Sequence, residues 1–204
     1  MRYAGVAVAV AGVLVAAGAV TYSVAEDGGA GADAPVADSA DAGFARDMAV
    51  HHQQAVEMSY VVRDRTTDEE VRRLAYDIAQ TQANQRGMLL GWLDLWGLPK
   101  VSSEPPMTWT GMRGMSGGED GALMVGMATD AEMKRLGTLN GKQAEILYLQ
   151  LMTAHHKGGV HMAESCVAKC TVGVEKRLAQ GMVEAQQSEI DLMAGMLKAR
   201  GAKP

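Results

Sequence analysis

Aromatic residues make up only 4% of this 204-residue chain, and Phe44 is its single phenylalanine. Any core must therefore be built mainly from aliphatic side chains and methionine. Basic residues are also short. The 19 Lys and Arg stand against 24 Asp and Glu, the net charge is −5, and no basic block stands out. That balance excludes a nucleic-acid binder that works by neutralising phosphates. Strongly β-prone runs are missing outside the N-terminal apolar segment and isolated valine pairs, so there is little from which to build strands. The motif Glu-x-x-His occurs nowhere. A ferritin-like di-metal oxidase needs that motif and several inward carboxylates, so this enzyme class is disfavoured. Cysteine is limited to Cys166 and Cys170, and with none near the N-terminus a lipid anchor attached there is excluded.

What is present is unusual in two respects. There are 15 methionines, far more than a core of this size needs to fill gaps. All five histidines fall in two clusters, His51-His52 and His155-His156-His161. The remaining composition, 48% hydrophobic and 21% charged, is that of a globular domain.

Met1-Arg2-Tyr3 precedes an unbroken apolar run from Ala4 to Val20, with acidic Glu26-Asp27 behind it. This pattern predicts an export signal and places the mature protein outside the cytoplasm. The run sits at the lower limit for a spanning helix, while Ala17-Gly18-Ala19 and Ser23-Val24-Ala25 offer small-x-small cleavage sites. Residues 1–25 therefore read as a cleaved signal peptide or as a retained transmembrane anchor. Residues 26–40 are small, acidic and aperiodic, as suits a flexible linker.

Shifting the sequence by 104 residues lays 47–97 on 151–201 without a gap, and 13 of the 51 pairs are identical. The chain thus contains an internal repeat. Met48, His51, His52, Val56 and Met58 fall on Met152, His155, His156, Val160 and Met162. Each copy reads as a helical hairpin: about 41–65 and 67–96 in the first, about 141–169 and 172–200 in the second. Thr67-x-x-Glu70 and Thr129-x-x-Glu132 have the form of capping boxes. Two helices alone cannot bury their apolar stripes, so the two hairpins are expected to pack as an all-α, four-helix bundle with a pseudo-twofold axis over residues 41–201. The first half spans 41–97, a Met- and Gly-rich loop spans 98–128, and the second half spans 129–201.

At 100° per residue Met48, His51, His52 and Met58 share the inward stripe of the first helix, and Met152, His155, His156 and Met162 that of the third. Glu57 and His161 point away. On the partner helices the stripes are interrupted by Gln82 and Gln85 and by Gln186 and Glu189, polar groups that need partners if buried. Imidazole, thioether and carboxylate converging from facing helices describe a metal site, with Glu189 the candidate carboxylate, and thioethers favour Cu(I). The loop offers a second candidate metal site in Met107, Met112, Met115, Met124 and Met127. Each cluster has a structural alternative: hydrogen-bonded core histidines, and methionines that fill the core. Cys166 and Cys170, four apart on one helix face, read as a disulfide or a thiolate pair, with export favouring the disulfide.

The run Asp41-x-x-Phe44-x-x-x-Met48-x-x-His51-His52-x-x-Ala55-Val56-x-Met58 recurs as Tyr148-x-x-x-Met152-x-x-His155-His156-x-x-Gly159-Val160-x-Met162, followed by Gln186-x-x-Glu189-Ile190. This doubled signature resembles the bacterial family called domain of unknown function 305, and Met127–Met133 is similar to that family's linker between halves. The resemblance implies a ferritin-like bundle, exported, with copper association in some members. Gln85-Arg86 departs from the Glu-apolar pair seen as Glu189-Ile190. Together these readings predict an exported metal-binding protein, most plainly for copper, acting in buffering or handover rather than catalysis. The alternative is a structural or partner-binding envelope bundle without metal.

Overall fold

A computed structural model describes residues 34–111 and 120–203. The order of elements is α1 (Ala40–Arg63), α2 (Glu69–Leu95), a single 3-10 turn at Thr108–Thr110, α3 (Asp130–Thr138), α4 (Gly141–Lys169) and α5 (Gly173–Ala199). Among the described residues there is no strand, and the fold is the all-α bundle that the repeat implies. None of these helices is long and apolar enough to cross a membrane. The apolar run Ala4–Val20, on which the transmembrane reading rests, lies outside the described residues.

Helix starts follow local chemistry. The Ser39 hydroxyl accepts from the Ala42 amide at the head of α1, and Thr129 with Glu132 closes a reciprocal capping box at α3. The expected box at Thr67 is not used. Asp68 caps α2 instead, accepting from the Val71 amide. The reason is tertiary: Thr66 accepts from the Asp68 amide and donates to Glu145 on α4, which holds this turn outside the helix until Asp68.

Helices α1 and α4 run antiparallel and form the central pair, with α2 packed on α1 and α5 on α4. Their facing surfaces are fully buried and carry Phe44, Met48, His51, His52, Met58 and Val62 from α1 against Tyr148, Met152, His155, His156 and Met162 from α4. The apolar core has two parts. One holds Met58, Val62, Leu74, Ile78, Tyr148, Leu149, Met152, Met193 and Leu197. The other holds Phe44, Met48, Leu89, Leu93, Met107, Met124, Met162, Cys166 and Met182. The four histidines of the central helices lie between these parts.

The segment after the 3-10 turn folds back across the bundle. Gln54 on α1 clamps it by donating to the Ala128 carbonyl and accepting from the Ala128 amide, at 2.9 and 2.7 Å. The segment crosses α4 with backbone against backbone at Gly158, where a Cβ would strike the Val125 carbonyl oxygen. Gly158→Ala is therefore expected to destabilise the domain by about 2 kcal/mol, overpacking outweighing the gain in helix propensity. Urea unfolding checks this; a Gly158→Ala variant as stable as the parent chain would mean that the crossing is loose.

The loop methionines are consequently not a free cluster. Met107 and Met124 are buried beside Met48 and Met162, and Met127 packs against the same group. The sequence offered no helical face for them to fill, but the Gly126–Gly158 crossing supplies one. Met112 and Met115 lie outside the described residues. Cys166 and Cys170 are joined in a disulfide at the end of α4, and a closed loop this short removes only about 2 kcal/mol of unfolded-chain entropy.

Candidate metal centre

The repeat places four imidazoles in one layer. His51 and His155, equivalent in the two copies, meet face to face with ring centroids 3.7 Å apart and planes 30° apart. His52 and His156 flank them, each with its centroid slightly more than 6 Å from its neighbour in sequence. All four are completely buried.

Hydrogen bonds fix the tautomers of three of them. His155 Nε2 faces the His51 carbonyl oxygen at 3.0 Å, His52 Nε2 faces Gln85 Oε1 at 2.9 Å, and His156 Nε2 faces Glu189 Oε2 at 2.7 Å. Each partner is an acceptor, so in each ring Nε2 carries the hydrogen and donates. That leaves the Nδ1 lone pairs of His52, His155 and His156, and none of them has a hydrogen-bond partner; neither nitrogen of His51 has one of sound geometry. Gln85, the departure from the Glu pattern in the first half, thus performs for His52 what Glu189 performs for His156. Glu189 meets the layer by accepting from an imidazole, which makes it an orienting group rather than a residue aimed at a common point.

The electrostatics keep the lone pairs of His51, His52 and His155 available. Burial pushes the His52 imidazole down to about 3, with the Gln85 hydrogen bond opposing and His156 adding to the fall. Burial also drives His51 and His155 well below the ordinary value, helped by neighbouring imidazoles; the Val125 backbone opposes this at His51 and the His51 backbone at His155. Neutral imidazoles with bare nitrogens are the form that binds metals.

Buried polar atoms without partners are costly, and this layer concentrates them. Gln82 Oε1 and both amide atoms of Gln186 are likewise unpartnered. Gln186 lies so close to α4 that a Cβ on Gly159 would strike it; the first copy has Ala55 at that position. A cation accepting lone pairs from the ring nitrogens would satisfy them, with the outer hydrogen bonds already holding the rings in place. The residues present therefore fit a metal.

The thioethers flank the layer on both sides. Met48 lies with Met162, Met107 and Met124 on one side, and Met58 with Met152, Met193 and Met196 on the other. The equivalent residues Met48 and Met152, expected at one point, are thus in different parts of the core, because antiparallel helices place the start of one stripe against the end of the other. Among the described residues, no three ligating atoms from His, Asp or Glu in this layer fall within 4.8 Å of one another. His161 is exposed and sits 3.7 Å from Glu164, away from the layer.

An all-α bundle of two equivalent hairpins around a buried His–Met layer defines a class of small, duplicated helical proteins. The chain belongs to the DUF305 family (domain of unknown function), whose model matches residues 41–197. Among solved structures it is similar to a DUF305 protein of Streptomyces coelicolor assigned as secreted, with 77% identity over 82% of this chain and 98% of that one, at a TM-score of 0.77. A DUF305 fragment from Deinococcus radiodurans is 31% identical over 78% of this chain and 96% of its own, at a TM-score of 0.65. CopM in its Cu(I)-bound form shares the fold at a TM-score of 0.59, with 18% identity over 78% of this chain and 96% of that one. No curated protein matches.

Proposed function

We propose that this chain is an exported copper-binding protein that holds Cu(I) in its histidine layer, for buffering or handover rather than for catalysis. The observation that carries this reading is the set of buried imidazoles, His52, His155 and His156, whose Nε2 atoms are committed to acceptors and whose Nδ1 atoms are bare. His51, His52, His155 and His156 would supply nitrogen ligands, with thioethers from Met48 and Met162 or from Met58 and Met152. Structural zinc sites take four thiolate, imidazole or carboxylate ligands in a tetrahedron, and in this layer there is no thiolate and no three nitrogen or carboxylate ligands converge. Sulfur must complete the shell, and thioether sulfur selects Cu(I).

Two comparisons support the reading. The same fold is found in CopM, solved in Cu(I)-, Cu(II)- and Ag-bound forms. The Streptomyces coelicolor relative is assigned as secreted, in keeping with the signal-like N-terminus of this chain. A di-metal oxidase finds no support, since Glu189 is the one carboxylate hydrogen-bonded to the layer among the described residues. One observation favours a metal-free structural role, namely that three of the imidazoles already have a hydrogen bond through Nε2.

Anaerobic competition of the chain against a Cu(I) chelator separates the two readings: saturable uptake supports the copper site, and no uptake supports the structural one. Met→Leu substitutions at Met48 or Met152 keep the volume and remove the sulfur. The one on the side that supplies the thioether is expected to weaken Cu(I) binding by about tenfold while changing Zn(II) binding much less. Equal losses for both metals, measured by the same competition, would exclude thioether ligation.

A further inference from the structure

At the far end of α4 from its start, a second cluster lies outside the histidine layer. The Sγ atoms of Cys166 and Cys170 and a carboxylate oxygen of Glu175 all fall within 4.8 Å of one another. Three chain segments build it. Cys166 is on the last turn of α4, and Cys170 caps the helix in extended backbone. The chain then turns through Thr171 and Val172, where Asp41 of α1 accepts from both amides, and the first turn of α5 brings Glu175 back over the sulfurs. All three side chains are buried.

Glu175 is the anomaly. It is completely inaccessible, and neither of its carboxyl oxygens has a hydrogen bond of sound geometry. Burial, the nearby Asp41 carboxylate and a hydrogen-bonding contact with that carboxylate push Glu175 up to about 9, so it is neutral at physiological pH. The repeat offers an internal control, because Val62, Thr66 and Val71 occupy the positions of Cys166, Cys170 and Glu175 in the first copy, and both valines are fully buried. At these three positions one end of the bundle carries two valines and a threonine, the other two sulfurs and an acid.

We propose that, once the Cys166–Cys170 bond is opened, the two sulfurs and Glu175 form a buried site for a thiophilic divalent cation of the Zn(II) class. Opening requires an external dithiol. Its two thiols close into a disulfide, delivering two electrons and two protons, and the S–S bond of this chain becomes two thiols. Binding the cation then forms two metal–sulfur bonds and one metal–oxygen bond, and releases one proton from each thiol and one from the Glu175 carboxyl. In the oxidised chain the sulfurs are bonded to each other and the site is closed. The histidine layer plays no part, so this site stands or falls independently of copper binding.

The test uses Co(II) as an optical stand-in for Zn(II), added to the full chain before and after reduction with excess dithiothreitol and removal of the reductant under anaerobic conditions. Cobalt bound to imidazole alone lacks the intense near-ultraviolet band of thiolate-to-cobalt charge transfer, so any uptake by the histidine layer is distinguishable. The reduced wild-type chain is expected to gain that band and lose it on addition of Zn(II), while the oxidised chain shows none. Losing an outer partner of a metal ligand already costs about tenfold in affinity, so Glu175→Gln should weaken Co(II) binding by at least that factor. Glu175→Val, the residue type that the first copy carries, should keep the helical circular dichroism and weaken binding equally. The proposal is overturned if the reduced chain shows no charge-transfer band, if Glu175→Gln binds as tightly as wild type, or if reduction alone abolishes the helical signal.

Discussion

Replacing His51 and His52 together with alanine, or His155 and His156 together, is expected to lower Cu(I) affinity by about 100-fold or more, since each pair removes ligands rather than outer partners. His161→Ala should change it little, because that side chain is exposed and faces away from the layer. Removing buried rings also destabilises the metal-free fold, so affinity alone is an incomplete readout. The discriminating quantity is the rise in melting temperature on adding Cu(I). A ligand bound only by the folded state adds about 2.7 kcal/mol at a concentration 100 times its Kd, and both double variants should lose that increment. Calorimetric scans with and without Cu(I) measure it. Copper-dependent stabilisation retained in both double variants would place the metal elsewhere.

The second large effect is on acid stability. In the metal-free protein His52 is held down to about 3 against an ordinary 6.5, and His51 and His155 are displaced in the same direction by burial. Above pH 6.5 His51, His52 and His155 are neutral in both the folded and the unfolded chain. Below it the unfolded chain takes up protons that these three folded imidazoles refuse, so stability falls steadily from pH 6.5 down to about 3. His52 alone contributes roughly 5 kcal/mol to that loss at 1.36 kcal/mol per unit, a large share of the 5–15 kcal/mol typical of a domain. Glu175 acts with the opposite sign: raised from 4.5 to about 9, it makes the folded state less stable as pH rises through that window. The metal-free protein should therefore unfold in acid well above pH 3, and Glu175→Gln should flatten the decline on the alkaline side. His52→Gln, which accepts no proton in this range, should move the acid midpoint downward. Circular dichroism against pH reads all three, and an acid midpoint unmoved by His52→Gln would show that the layer is already protonated or solvated.

Copper binding should suppress the acid transition as well, because a cation on Nδ1 competes with the proton for the same lone pair. The two effects are thus linked through one atom on each ring.

The helices, their pairing and the inward direction of the histidines were legible from local information. A 3.6-residue period and a repeat with Met and His at fixed offsets determine which face turns inward, and α4 spans Gly141–Lys169 as its periodicity indicates. Three features were not legible, each for a long-range reason. Asp68 replaces Thr67 as the α2 cap because Thr66 is held by Glu145, a residue 79 positions away. Met48 sides with Met162 rather than Met152 because the order of packing along antiparallel helices is absent from the offsets within each one. Met107 and Met124 are buried because Gln54 and the Gly158 crossing fold an aperiodic segment onto the bundle. The roles of Gln85 and Glu189 lie between these cases: their stripe positions pointed to buried polar partners, but only the geometry shows Nε2 as the atom they hold.

Copper K-edge X-ray absorption on the Cu(I)-loaded chain tests the central claim most directly, since it reads the ligand atoms themselves. Cu(I) in the histidine layer should show a mixed shell of imidazole nitrogen and thioether sulfur, with the outer-shell scattering of imidazole rings, and the His155→Ala, His156→Ala chain should lose part of the nitrogen component. A shell of sulfur alone, unchanged by that substitution, would contradict the histidine site and leave the methionines as the only ligands.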